Sequence, residues 1–208
     1  MMGIRSLVSQ DRLKVWDDLF KPRLDDKAAP NLCDIYLRRE EPIYADPNEF
    51  FRRTYLTRSM RELIEEVAEA LKGGRGGRIF LLTSLFGGGK THTLITLYHA
   101  FKNPDALANL DEALAEKVAG LRDVNIIVMD ASSSRLVPHP DQPYKTEGFT
   151  IRTIWGMLAY RLGAYARIKG LDKEGAPAPD IEPLRAILSE AKGPVLILLD
   201  EIVHYIFN

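Results

Sequence analysis

The chain has 208 residues, of which 46% are hydrophobic and 27% charged, an ordinary globular composition that excludes a disordered or fibrous chain. Its 28 lysines and arginines against 29 acidic residues exclude a global positive field for nucleic acid, so any DNA contact would have to be local. A single cysteine, Cys33, excludes an intrachain disulfide and a cysteine-built zinc site and suits a reducing cytoplasm, where the protein is expected to work.

The longest purely aliphatic run, residues 195–199, is far short of the ~20 residues that span a bilayer. The N-terminus, MMGIRSLVSQDRLK, has no continuous apolar stretch of the kind a secretion signal needs. Residues 1–56 read as an N-terminal arm, because Pro22, Pro30, Pro42 and Pro47 interrupt short amphipathic pieces such as RLKVWDDLF. Residues 57–208 read as the core.

From Ser59 onward Met60, Leu63, Ile64, Val67, Ala68 and Leu71 recur at helical spacing, and Ser59 with Glu62 has the S-x-x-E form of a capping box. GGRGG at 73–77 ends that helix. RIFLLT, residues 78–83, is a short apolar run bounded by glycines, which predicts a strand buried on both faces. Residues 90–102 favour a helix that stops before Pro104. A charged helical segment over 105–121 leads into VNIIVMD, residues 124–130, a second buried-type strand.

The turn-rich stretch at 131–149 is a long loop of the kind that is usually functional or mobile. Ile151, Ile154, Trp155, Leu158, Leu162 and Tyr165 set a helical stripe, DKEGAPAPD is a linker, residues 181–192 form a short helix, and VLILLD, residues 195–200, is the third strand. Continuous apolar strands alternating with helices predict a parallel, doubly wound α/β sheet in three layers.

Between the first strand and its helix lies SLFGGGKT, residues 84–91, which matches the phosphate-loop (Walker A) pattern G-x-x-x-x-G-K-[ST] except that Ser84 stands at the first glycine. Serine makes that turn only with a negative φ. Gly87, Gly88 and Gly89 let backbone N–H groups turn around phosphate oxygens, and the helix behind them points its positive dipole end at the same anion. Lys90 would reach the β and γ phosphates of ATP, and the Thr91 hydroxyl would ligate Mg²⁺.

Such a site also needs an aspartate at the end of a neighbouring apolar strand, and two strands qualify, ending in Asp130 and in Asp200. Only Asp200 is followed by a glutamate, Glu201, able to polarise a water for attack on the γ-phosphate. Asp200 and Glu201 are therefore the preferred Walker B pair, and Asp130 reads as a cap on the next turn. The four histidines show no metal-ligand spacing. His92 is positioned to help shape the phosphate loop or simply to pack, His139 reads as solvated, and Trp155 reads as core.

Four blocks, YADPNEFFRRTYLTRSMREL, LTSLFGGGKTHTLITLYHAF, TIWGMLAYRLG and LILLDEIVHYI, together resemble a prokaryotic family called domain of unknown function 499, large AAA+-like predicted ATPases. Family members are often encoded beside DNA methyltransferases and helicases in phage-defence clusters, so the resemblance implies a defence role with DNA or DNA-modifying proteins as partners. It also implies that Gly87, Gly88, Gly89, Lys90 and Thr91 hold the nucleotide and that Asp200 and Glu201 serve Mg²⁺ and water. TYLT, residues 54–57, falls where AAA+ proteins often build the adenine pocket, which makes Tyr55 and Arg58 candidates beside a packing role.

Family proteins look far longer than 208 residues. The AAA+ sheet order resembles 5-1-4-3-2, and only strands one to three are found in this sequence. A fragment truncated after the Walker B strand is therefore expected, its remaining strands coming from the rest of a larger ATPase or from a partner, with oligomerisation open and no sensor or arginine finger assignable. The leading expectation is ATP binding, with hydrolysis in the parent protein. A nucleotide-gated scaffold that holds ATP without cleaving it is the second, and a small-molecule or nucleoside kinase, with the Asp200 strand directly beside residues 78–83, is the third.

Overall fold

A computed structural model describes residues 30–38, 42–74, 78–84, 87–121, 123–139 and 141–207. Contacts divide the chain between Pro30 and Asn31, and the helices and strands of the described residues all belong to the unit Asn31–Asn208. Residues 1–29 of the expected arm, including RLKVWDDLF, lie outside the described residues, as do residues 75–77, 85 and 86 around the glycine segments.

Three short helices come first: α1 (Leu32–Tyr36), α2 (Pro42–Ala45) and α3 (Pro47–Arg53). Asp46 caps α3 by accepting from the Asn48 and Glu49 N–H groups, with Pro47 at a position whose missing N–H costs nothing. Leu32, Ile35, Phe50 and Phe51 from these helices are all buried in the core. Next comes α4 (Arg58–Leu71), which turns Ile64, Val67 and Ala68 inward. Its cap is Thr57, whose hydroxyl accepts from the Met60 N–H at 3.2 Å, not Ser59. Residues 54–57 run extended, so the helix starts two residues early, and Glu62 is drawn to Arg58 Nε at 2.7 Å instead of reaching back to a cap.

Helix α5 (Lys90–Lys102) buries Leu94, Ile95, Thr96, Leu97, His99, Ala100 and Phe101, residues too widely spread around the axis for a surface helix, so it runs through the core. The charged segment after it is two helices, α6 (Pro104–Leu107) and α7 (Glu112–Ala119), because Asp111 accepts from the Leu114 N–H and starts a new cap.

Strand β1 (Asn125–Asp130) pairs in parallel with β4 (Val195–Asp200), in register from Asn125 opposite Val195 to Asp130 opposite Asp200. A small antiparallel ladder joins β2 (Tyr144–Lys145) to β3 (Thr150–Ile151). Helix α8 (Ile154–Arg161) ends near Gly163, whose φ of +71° turns the chain into a 3-10 segment, Tyr165–Arg167, so the stripe expected as one helix is broken. Then come α9 (Ile181–Leu188) and α10 (Ile202–Phe207). The described residues thus form a mixed α/β fold with a small parallel sheet and ten helices.

Alternation along β1 and β4 sends their side chains to two cores. Val128, Leu196 and Leu198 join the cluster around α4, α5 and α7. Ile127, Met129, Val195 and Ile197 join the other, with Met157, Ile168 and Ile187. Buried Asp172 braces the second core by accepting from the N–H groups of Arg152 and Thr153 and from the hydroxyls of Thr153 and Tyr165.

The strand expected at residues 78–83 is not formed. The segment is described but carries no ladder, and β4 pairs with β1 alone among the described residues. Phe80 and Leu82 still pack against the first core, whereas Ile79 and Leu81 are 92% and 84% exposed. A doubly buried strand needs cover on both faces. Only one face of this run is covered, and with no neighbouring strand described its backbone groups have no ladder to join.

Candidate nucleotide site

Gly87 and Gly89 adopt φ of +76° and +77°, and a Cβ at either position would meet no described atom within 4 Å. These glycines therefore serve backbone conformation, not close packing. Ser84 is not among the described non-glycine residues of positive φ, as the turn requires. Gly89 stands at the N-cap of α5, and no described side chain caps the first turn, so among the described residues its leading N–H groups have no capping side chain and its positive dipole end lies at the loop. Lys90 folds back along the loop, its Nζ 3.4 Å from the Ser84 carbonyl oxygen and 3.3 Å from Ser84 Oγ.

Beside the lysine in the first turn of α5, Thr91 Oγ1 donates to Asp200 Oδ2 at 2.9 Å, joining residues 109 apart in the chain. The other carboxylate oxygen, Asp200 Oδ1, accepts from the Glu201 N–H at 3.1 Å. Burial pushes the Asp200 carboxyl above its ordinary range, with the charges of Asp130 and Glu201 adding to the rise and the two hydrogen bonds offsetting it. A carboxylate held in a poorly solvated place beside a hydroxyl is one that a cation would relieve.

Asp130 sits beside Asp200 in the register but is otherwise engaged: Oδ2 accepts from the Cys33 N–H at 3.2 Å, and Oδ1 accepts from the N–H and hydroxyl of Ser132. Glu201 has a φ of +49°, a left-handed backbone that glutamate seldom adopts and that costs about 1 kcal/mol or more. Its half-exposed carboxylate lies 3.7 Å from His204 Nε2. Sequence reasoning finds neither the left-handed backbone nor the His204 contact, although the i, i+3 spacing of Glu201 and His204 is there to be read.

Next to Thr91 on α5, His92 turns its ring onto Phe50 at a centroid distance of 4.9 Å and brings Nε2 to 3.5 Å from Thr54 Oγ1. Burial pushes its imidazole pKa down. Thr54 and Phe50 are partners that the residue pattern does not single out. Tyr55, the next residue, is 84% exposed, and Arg58 is paired with Glu62. Trp155 packs against the second core and donates from Nε1 to the Leu171 carbonyl. His139 is not simply solvated: its ring lies 5.4 Å from that of Tyr205.

Among the described residues no group of three or more His, Cys, Asp or Glu side chains could hold a metal ion. Thr91 and Asp200 alone would suit Mg²⁺, which keeps several waters and takes phosphate oxygens to complete its octahedron. The open glycine cradle, the uncapped helix N-terminus and the adjacent lysine fit a polyphosphate. No described helix is long and apolar enough to cross a membrane. Residues 2–208 match a family model described as the DUF499 N-terminal domain. No curated protein and no solved structure matches the chain.

Proposed function

The chain belongs to the DUF499 N-terminal domain family, and from that premise we propose that it binds ATP with Mg²⁺ and carries the phosphate loop and hydrolytic carboxylates of a larger cytoplasmic AAA+-like ATPase. One observation supports this most. The Thr91–Asp200 hydrogen bond brings the G-K-T helix start and the end of the D-E strand to one point, where Thr91 and Asp200 would hold Mg²⁺. Bound Mg²⁺ would neutralise charge on the β and γ phosphates.

In this reading the N–H groups behind Gly87, Gly88 and Gly89 wrap the phosphates. Lys90 swings from the Ser84 carbonyl to the β and γ oxygens, and Glu201 takes the proton of the attacking water. Ser84 shapes the loop, and Tyr55 lies toward the base end. The finer fold is a three-layer P-loop arrangement in which residues 78–83 become a strand once another strand, from the remainder of the ATPase or from a partner, fills the space along the open edge of β4. The exposed Ile79, Leu81 and Leu199 support that reading, since exposed apolar side chains and a strand edge with no described partner invite a further element. Work on DNA or DNA-modifying partners in phage defence is the setting that the family resemblance suggests.

The test is calorimetric titration with Mg–ATP. Lys90→Ala is expected to weaken binding by about a hundredfold or more, whereas Glu201→Gln binds as the native protein does and loses turnover by a similar factor in the ATPase. Binding that survives Lys90→Ala sinks the assignment. Turnover that survives Glu201→Gln leaves a nucleotide-gated scaffold. The kinase reading asks for the Asp200 strand directly beside residues 78–83, and no such ladder is among those described.

A further inference from the structure

Thr54 ends α3, and its hydroxyl donates to the Phe50 carbonyl oxygen at 2.8 Å. A hydroxyl has one proton to give. The 3.5 Å contact with His92 Nε2 therefore has the imidazole N–H as donor and Thr54 Oγ1 as acceptor. The contact is long, but the ring is also held by Phe50, itself 1% exposed. The side chain that follows the Thr91 hydroxyl on α5 is thus anchored to the end of α3.

Past Thr54 lies the extended connector 54–57, fixed at each end. The Thr54 N–H donates to the Phe51 carbonyl, and the Thr57 hydroxyl caps α4. Tyr55 stands in this connector with its ring 84% exposed. A tyrosine in water on a backbone pinned from three directions can offer a stacking face without a large ordering cost.

We propose that His92 is a positioning residue for the base end of the nucleotide: it holds connector 54–57 against the first turn of α5, so that Tyr55 stacks on the base while the glycine loop takes the phosphates. The inference rests on the reading of the glycine loop as a nucleotide site. It gives His92 a task distinct from that of Lys90 and Thr91, acting through the connector and not on the phosphates.

The test compares two ligands, Mg–ATP and Mg–tripolyphosphate, which share the phosphates and differ in the base. His92→Phe is expected to weaken ATP about tenfold and tripolyphosphate less than about twofold, as the loss of one stacking contact would. His92→Gln, which keeps a donor near Nε2, should stay within about threefold of the native affinity for ATP. Tyr55→Ala should match His92→Phe, and the double variant should be no weaker than either, since both act on one contact.

Equal losses for both ligands, losses that add in the double variant, or no loss at all would each overturn the proposal. Thr54→Val removes the acceptor from the other side and carries the same comparison if His92→Phe does not fold. Lys90→Ala separates the two failures. If it leaves both ligands bound, the nucleotide reading falls; if it releases both while His92→Phe changes neither, only the role of His92 falls.

Discussion

Asp200 is placed where folding and function pull in opposite directions. Its side chain is buried at the end of β4 with Thr91 and the Glu201 N–H as its hydrogen-bond donors, and burial raises its carboxyl above the ordinary 3.8. A carboxyl whose folded pKa is raised contributes stability that is present below its unfolded pKa and lost as pH rises through the folded value. Wherever the carboxyl is ionised, the native protein bears that loss. Asp200→Asn keeps an oxygen acceptor for Thr91 and removes the charge, so it should raise the thermal midpoint at pH 7 by about 2–4 °C while weakening Mg–ATP binding. The difference in midpoint should shrink as pH falls toward 4. A variant less stable than the native protein at pH 7 would mean that the carboxylate's hydrogen bonds outweigh its desolvation.

At the scale of elements, α5 carries both the site and a pH dependence. His92 and His99 both have imidazole pKa values pushed down by burial, and His99, 1% exposed, donates from Nε2 to the Tyr44 carbonyl oxygen at 2.7 Å, while its Nδ1 has no partner among the described residues. With the folded pKa below the unfolded value of 6.5, the unfolded chain binds more protons, so stability falls as pH drops through the mid-6 range. Each histidine adds to that slope, with about 1.4 kcal/mol per pH unit as the ceiling that one proton sets. Urea unfolding from pH 7.5 to 5 should show that fall, and His99→Gln should make it shallower even though it costs stability at every pH. An unchanged slope would clear His99 of the effect.

The same helix marks how much the residue pattern can tell. The bounds of α5 follow from the residues themselves, Gly89 before it and Pro104 after it, and β4 follows from VLILLD because β1 gives it a parallel partner along its whole length. The Thr91–Asp200 meeting is legible too, since each residue ends or begins an element whose type is clear. RIFLLT is just as apolar, but a strand is a relation between two segments, and its pattern holds no information on whether the partner is within the chain. The cap of α4 escapes the pattern because Thr57 and Ser59 are both good caps, and the extended connector decides between them. The φ of Glu201 leaves no trace in the residue pattern at all.

For the unit as a whole, the contrast lies between the covered faces of the small sheet and the apolar side chains left in water elsewhere. The small sheet of β1 and β4 has a core on each side, yet Ile79, Leu81, Leu199, Val203 and Ile206 are exposed at 92%, 84%, 47%, 58% and 66%. Side chains this exposed add little to the stability of the fold, because stabilisation follows the apolar area removed from water. They do add to its tendency to associate, since an unpaired strand edge and an apolar surface recruit another chain. Replacing Ile79 and Leu81 together by threonine should therefore leave the urea midpoint nearly unchanged, within about 0.5 kcal/mol, and should lower the weight-average mass seen in sedimentation at high concentration. A clear loss of stability with no change in association would mean that residues 78–83 already carry a packed face, and the strand-filling reading of the open edge of β4 would have to be given up.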